Sequence, residues 1–111
     1  MADFLYLFHG GRPEDAGYSP DEIQKHMQKW GAWIENLGKQ GLFKGGAPLD
    51  TQARVLRQAV VTDGPYAETK DAVGGYVIVS AETLDEAAHM ARECPIFETN
   101  GTVEVRAIRK M

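Results

Sequence analysis

From Phe4 to His9 the side chains alternate, Phe4, Tyr6 and Phe8 on one face and Leu5, Leu7 and His9 on the other, which predicts a strand buried on both faces. After a loop containing Gly10-Gly11-Arg12-Pro13 and Gly17-Tyr18, the run Ser19-Pro20-Asp21-Glu22 has the form of a capping box: serine as cap, proline in the first helical position, glutamate three residues on. Ile23, Met27, Trp30, Ile34 and Leu37 recur at helical spacing, so this helix lays an apolar stripe on a sheet and ends near Gly38 or Gly41. Gly45-Gly46-Ala47-Pro48 then breaks the chain. Arg54 to Thr62 alternates as a second strand, and the Asp63-Gly64-Pro65 turn leads through a short loop into a third, Val73 to Ser80. Thr83-Leu84-Asp85-Glu86 opens a second helix with Leu84, Ala87, Ala88 and Ala91 inward and His89 towards solvent, stopped by Pro95; Thr102 to Arg109 is the last strand.

The order βαββαβ predicts an α+β, ferredoxin-like domain, with two helices on one face of an antiparallel sheet. The first and third strands are apolar on both faces, so the face without helices would expose a large apolar patch unless something covers it. A homodimer whose two sheets face each other and enclose a cavity is the expected solution. This connectivity also sends His9 and Gly10, His26, the 63–70 loop, Cys94-Pro95 and Asn100-Gly101 to one common rim. The start of the first helix adds a partial positive charge there.

Bulk properties narrow the partners. The 111 residues suit one domain with one core. Sixteen acids against twelve bases give a net charge of -4 and offer no electrostatic reason to meet a phosphate backbone, so nucleic acid is not an expected partner. The amino terminus lacks the pattern of a secretory leader, and no apolar run reaches membrane-spanning length, so a cytoplasmic protein without membrane contact is expected. Cys94 is the only cysteine, which excludes an internal disulfide and a thiolate-rich metal site. The three histidines and Cys94 show no zinc-ligand spacing, and no metal is expected.

The polar residues of the rim supply the candidate chemistry. Asp63, in a turn at the mouth of an apolar cavity, would be desolvated and suited to proton transfer; the competing reading is an aspartate that accepts hydrogen bonds from its own turn. His26, one turn before Trp30, is either a general acid or base at the rim or a histidine packed beside the core. Tyr66, His9 and Trp30 are the candidate ligand contacts; His9 shares the ambiguity of His26, and Trp30 competes with a packing role. Trp33, off the main stripe, is open to a partner subunit. Glu68 and Lys70 read as an exposed ion pair, and Gly74-Gly75 as close strand packing rather than a phosphate loop.

The run Asp63-Gly64-Pro65-Tyr66-Ala67-Glu68-Thr69-Lys70, with Val73-Gly74-Gly75-Tyr76, the His26-to-Trp30 helix, Cys94-Pro95-Ile96 and Val103-Glu104-Val105-Arg106, resembles the DGPF branch of the YCII-related family over nearly the whole chain. The resemblance implies a ferredoxin-like protomer in a dimeric α+β barrel with no required cofactor. Other branches carry a histidine-aspartate pair proposed as catalytic, and the family includes an enzyme that removes chloride from a hydroxylated chloroaromatic. Position 26 corresponds to that histidine, while Cys94 stands where the aspartate would precede a proline, leaving Asp63 as a substitute carboxylate. The expected function is a cofactor-independent enzyme for proton transfer or elimination on a small polar or phenolic molecule. The alternatives are a non-catalytic small-molecule-binding or sensing dimer linked to transcriptional regulation, and an accessory module whose aromatic sheet face serves assembly.

Overall fold

The computed structural model describes residues 1–65 and 71–111. Its elements are β1 (Ala2–His9), α1 (Pro20–Lys39), β2 (Phe43–Pro48), β3 (Arg54–Arg57), β4 (Val60–Asp63), β5 (Val73–Ala81), α2 (Leu84–Met90) and β6 (Thr102–Ala107), with 3-10 turns at Pro13–Ala16, Ala91–Glu93 and Pro95–Thr99. Among the described residues the main sheet has the order β2-β5-β1-β6, with every neighbouring pair antiparallel. With both helices on one face, this is the ferredoxin-like α+β arrangement.

Alternation along the two central strands builds the core. β1 buries Phe4, Tyr6 and Phe8, and β5 buries Val77 and Val79, against the helices. Trp33 of α1 stacks on Tyr6 at 6.0 Å between ring centroids and meets Phe8 edge-on at 6.1 Å, and the Tyr6 hydroxyl donates to the Ala87 carbonyl of α2. Burial pushes the Tyr6 hydroxyl and the Cys94 thiol each up to about 12, with the neighbouring Cys94 adding to the effect at Tyr6, so both stay neutral core groups. Leu5, Leu7, Tyr76 and Ile78 stand half-buried on the sheet's other face.

Both predicted helix starts hold. The Ser19 hydroxyl accepts from the Glu22 N–H while the Glu22 carboxylate accepts from the Ser19 N–H, closing a reciprocal box; Thr83 accepts from the Glu86 N–H. The stripe of α1 is rotated from expectation: His26, Trp33 and Leu37 are buried, with Trp30 and Ile34 partly so, whereas Met27 is 47% exposed. Trp33 is therefore a core residue rather than one facing a partner. In α2 only Ala87 turns fully inward, followed by Ala91 in the next turn; Leu84 and Ala88 are exposed because the helix is short and meets the sheet along a narrow line.

The second sheet strand is a correction. It is β2, the stretch expected to break the chain, and Arg54 to Thr62 instead folds as the separate hairpin β3–β4. Gly45, at φ +137°, accommodates a bulge in the β2–β5 pairing, and a Cβ at Gly46 would collide with the Tyr76 carbonyl, so the two glycines serve close strand approach. The supposed single strand turns at Gln58, which adopts φ +54°, and neither arm buries a residue.

Candidate active site

Part of the predicted rim assembles: the end of β1 and the segment 96–101 meet, whereas residues 66–70 of the expected loop lie outside the described residues. β1 leaves the sheet through Gly10 and Gly11, both left-handed at φ +62° and +69°, and Gly11 is pressed so closely on Ile96 and Gly101 that no Cβ fits. The Thr99 hydroxyl donates to the Gly11 carbonyl, and the Gly10 N–H donates to Ala72. His9 stands between two acceptors, its Nδ1 2.9 Å from the Asp71 carbonyl and its Nε2 2.9 Å from Glu104 Oε1. The Asp71 carbonyl holds the His9 imidazole above its ordinary value; burial opposes it and Glu104 adds to it. The end of β1, the start of β5 and β6 thus share one imidazole.

Between α1 and the β2 side of the sheet lies a cavity of about 420 Å³. Phe8, Met27, Trp30, Ile34, Phe43 and Ile96 give it an apolar wall, and Arg12 is the one charged side chain among the described residues that line it. Its size and character are those of a site for a small organic molecule. Phe8 and Trp30 meet edge to face at 4.9 Å, fixing the aromatic corner.

Behind that wall is a polar relay. Trp30 Nε1–H donates to His26 Nε2 at 3.1 Å, which leaves the imidazole proton on Nδ1. Nδ1 faces Glu98 Oε2 at 3.4 Å, an electrostatic contact too poorly aligned to count as a hydrogen bond, so a buried ring nitrogen is left without a full partner. Glu98 is also bound by Lys29 Nζ at 3.0 Å; Lys29 first, and His26 after it, hold the Glu98 carboxyl below the usual carboxylate range. The imidazole is 2% exposed, with the Tyr18 ring edge-on to it.

The candidate residues are only partly gathered. Trp30 lines the cavity and His26 lies directly behind it. His9 is at the rim but engaged by Asp71 and Glu104, and is not among the cavity-lining residues. Asp63 ends the hairpin with its side chain 92% exposed, 3.5 Å from Arg54, so the carboxylate beside His26 is Glu98 and the expected desolvation of Asp63 does not occur. Tyr66 falls outside the described residues. Sequence reasoning missed Glu98, although it follows Cys94-Pro95 on a segment already assigned to the rim, and it missed Arg12 in the loop after β1. Among the described residues no three His, Cys, Asp or Glu side chains gather where a metal ion could be held, and no helix is long and apolar enough to cross a membrane.

A model of the YCII-related domain matches residues 5–111. The chain belongs to the YCII-related family. An uncharacterized protein of Rhizobium meliloti is 36% identical over 114 residues, covering 95% of this chain and 90% of its own. Among solved structures, the 5-chloro-2-hydroxyhydroquinone dehydrochlorinase of Burkholderia phenoliruptrix, in complex with 2,5-dihydroxybenzoquinone, is similar with a TM-score of 0.51 and 19% identity, covering 100% of this chain and 96% of its own. That likeness is one of fold. In this YCII-related chain the carboxylate that faces His26 is that of Glu98.

Proposed function

We propose that this YCII-related protein is a cofactor-independent enzyme for proton transfer or elimination on a small hydroxylated aromatic molecule held in the cavity between α1 and the sheet. The observation that carries this reading is the relay of Glu98, His26 and Trp30 ending at the wall of an apolar cavity. A substrate hydroxyl takes the place of the indole N–H at His26 Nε2 and gives up its proton there, while Glu98 stabilises the imidazolium. In an elimination the proton taken up at Nε2 is delivered to the ring carbon that carries the leaving group, which becomes tetrahedral as the first oxygen becomes a carbonyl. A second hydroxyl then loses its proton to water, its electron pair forms the second carbonyl, and the leaving group departs with its bonding pair. The dehydrochlorinase with the same fold acts on a molecule of this class, which supports the choice. Glu98 replaces Asp63 in the proposed pair.

A second reading has its own support. Nε2 is already occupied by Trp30, so an imidazole that keeps this bond positions the indole and performs no chemistry, and the protein is then a binding or sensing module. Calorimetric titration with 2,5-dihydroxybenzoquinone, together with chloride release from 5-chloro-2-hydroxyhydroquinone, separates the readings. Binding with turnover that His26→Gln abolishes supports the enzyme; binding without turnover supports the sensor; no binding removes both. In either role we propose a homodimer in which a second copy covers Leu5, Leu7, Tyr76 and Ile78, and a monomer by light scattering at micromolar concentration would count against it.

A further inference from the structure

Resting on the reading that the cavity takes an aromatic molecule, we infer that Arg12 and Glu14 form an anion latch at its mouth, so that the ligand is an aromatic anion whose charged oxygen displaces Glu14 from the guanidinium. The cavity wall is apolar except at Arg12, so a ligand's polar group has one charged side chain there to meet. That residue is well positioned. It follows the left-handed Gly10-Gly11 corner, which Ile96, Gly101 and the Thr99 hydroxyl clamp in place, and its backbone is extended at φ -71° and ψ 128° where it caps the turn Pro13–Ala16.

The guanidinium already has a carboxylate partner, but an exchangeable one. Glu14 Oε2 contacts only Nε, at 3.3 Å, with the Arg12 and Glu14 side chains 43% and 50% exposed. Such a pair contributes little in water. A carboxylate or phenolate carried by an aromatic body in the cavity meets the same guanidinium with less solvent between the charges, and a carboxylate can engage the planar fork with two oxygens. Glu14 is two residues along the same turn, so on release it swings into solvent without disturbing the fold. The overall charge of -4 repels anions at a distance, which makes selection for one a local property of Arg12.

The test uses 2-naphthoate and its neutral counterpart 2-naphthamide as probes, titrated by calorimetry into the full chain. The wild-type protein is expected to bind naphthoate about tenfold more tightly than naphthamide, the scale of one charge-assisted contact. Arg12→Gln brings the two to parity, and Glu14→Gln tightens naphthoate alone because the internal competitor is gone. Circular dichroism confirms that each variant is folded. Equal wild-type affinity for the two probes, or a charge preference that survives Arg12→Gln, overturns the latch while leaving the cavity reading intact; failure of both probes to bind overturns the latch and the cavity reading together.

Discussion

Trp30 and His26 are joined one helical turn apart, the indole N–H donating to Nε2 at 3.1 Å, with the imidazole buried and the indole lining the cavity. A substitution at position 26 should therefore be read at position 30. His26→Phe removes the acceptor and leaves the Trp30 donor unsatisfied, a loss of about 1–3 kcal/mol in chemical denaturation, accompanied by a shift in tryptophan emission. His26→Gln keeps an acceptor and should cost less. Equal losses in the two variants would show that packing rather than the hydrogen bond holds the indole.

Glu98 is half-exposed and tied to Lys29, so its carboxylate adds little to stability. Glu98→Gln should leave the denaturation midpoint nearly unchanged. If the relay supports proton transfer, the same variant lowers kcat with KM little altered, because the imidazolium that Glu98 stabilises forms only as the reaction proceeds. An unaltered kcat would remove Glu98 from the mechanism.

His9 supplies a pH dependence with a defined sign. Its folded-state value is raised above 6.5, first by the Asp71 carbonyl and then by Glu104. Stability from the protonated ring is complete below 6.5 and is lost as pH climbs through the raised folded value. The stability difference between wild type and His9→Gln, measured by urea denaturation from pH 5.5 to 8.5, should shrink as pH rises. A difference that grows with pH would contradict the assigned contacts.

Gly46 and Gly74 form a matched contrast. A Cβ at Gly46 runs into the Tyr76 carbonyl and Val77, both on the neighbouring strand, whereas a Cβ at Gly74 meets nothing within 4 Å. Gly46→Ala should destabilise by about 1–3 kcal/mol through forced backbone movement, and Gly74→Ala by less than about 0.5 kcal/mol. Thermal denaturation of the two variants checks both.

The fold was legible wherever its signals are local. Ser19 and Glu22 mark the start of α1 because a cap is written in adjacent residues, and Phe4, Tyr6 and Phe8 mark β1 because both faces of a central strand select apolar side chains. β2 was misread because it is an edge strand whose glycines answer to the backbone of β5, a partner remote in sequence. The hairpin was misread because Gln58-Ala59 carries none of the usual glycine, asparagine or aspartate signals of a tight turn. Connectivity brought the end of β1 to the segment 96–101, but which carboxylate meets His26 depends on the turn Pro95–Thr99 that aims Glu98, and no spacing rule expresses that. The rotated stripe of α1 shows the same limit: a periodic pattern names a helix, while its phase is set by aromatic packing on Tyr6 and Phe8.

The chain leaves the sheet at Pro48 and returns at Val73, although these strand ends are close neighbours: Pro48 pairs with Gly75, and the Leu49 N–H donates to the Gly74 carbonyl. A tight link would join them, yet the chain instead inserts the β3–β4 hairpin between them, and neither of its arms buries a residue in the core. Selection can therefore lengthen, shorten or rewrite that hairpin at little cost to the scaffold, making it the natural place for relatives to acquire distinct habits of recognition while the domain beneath stays the same.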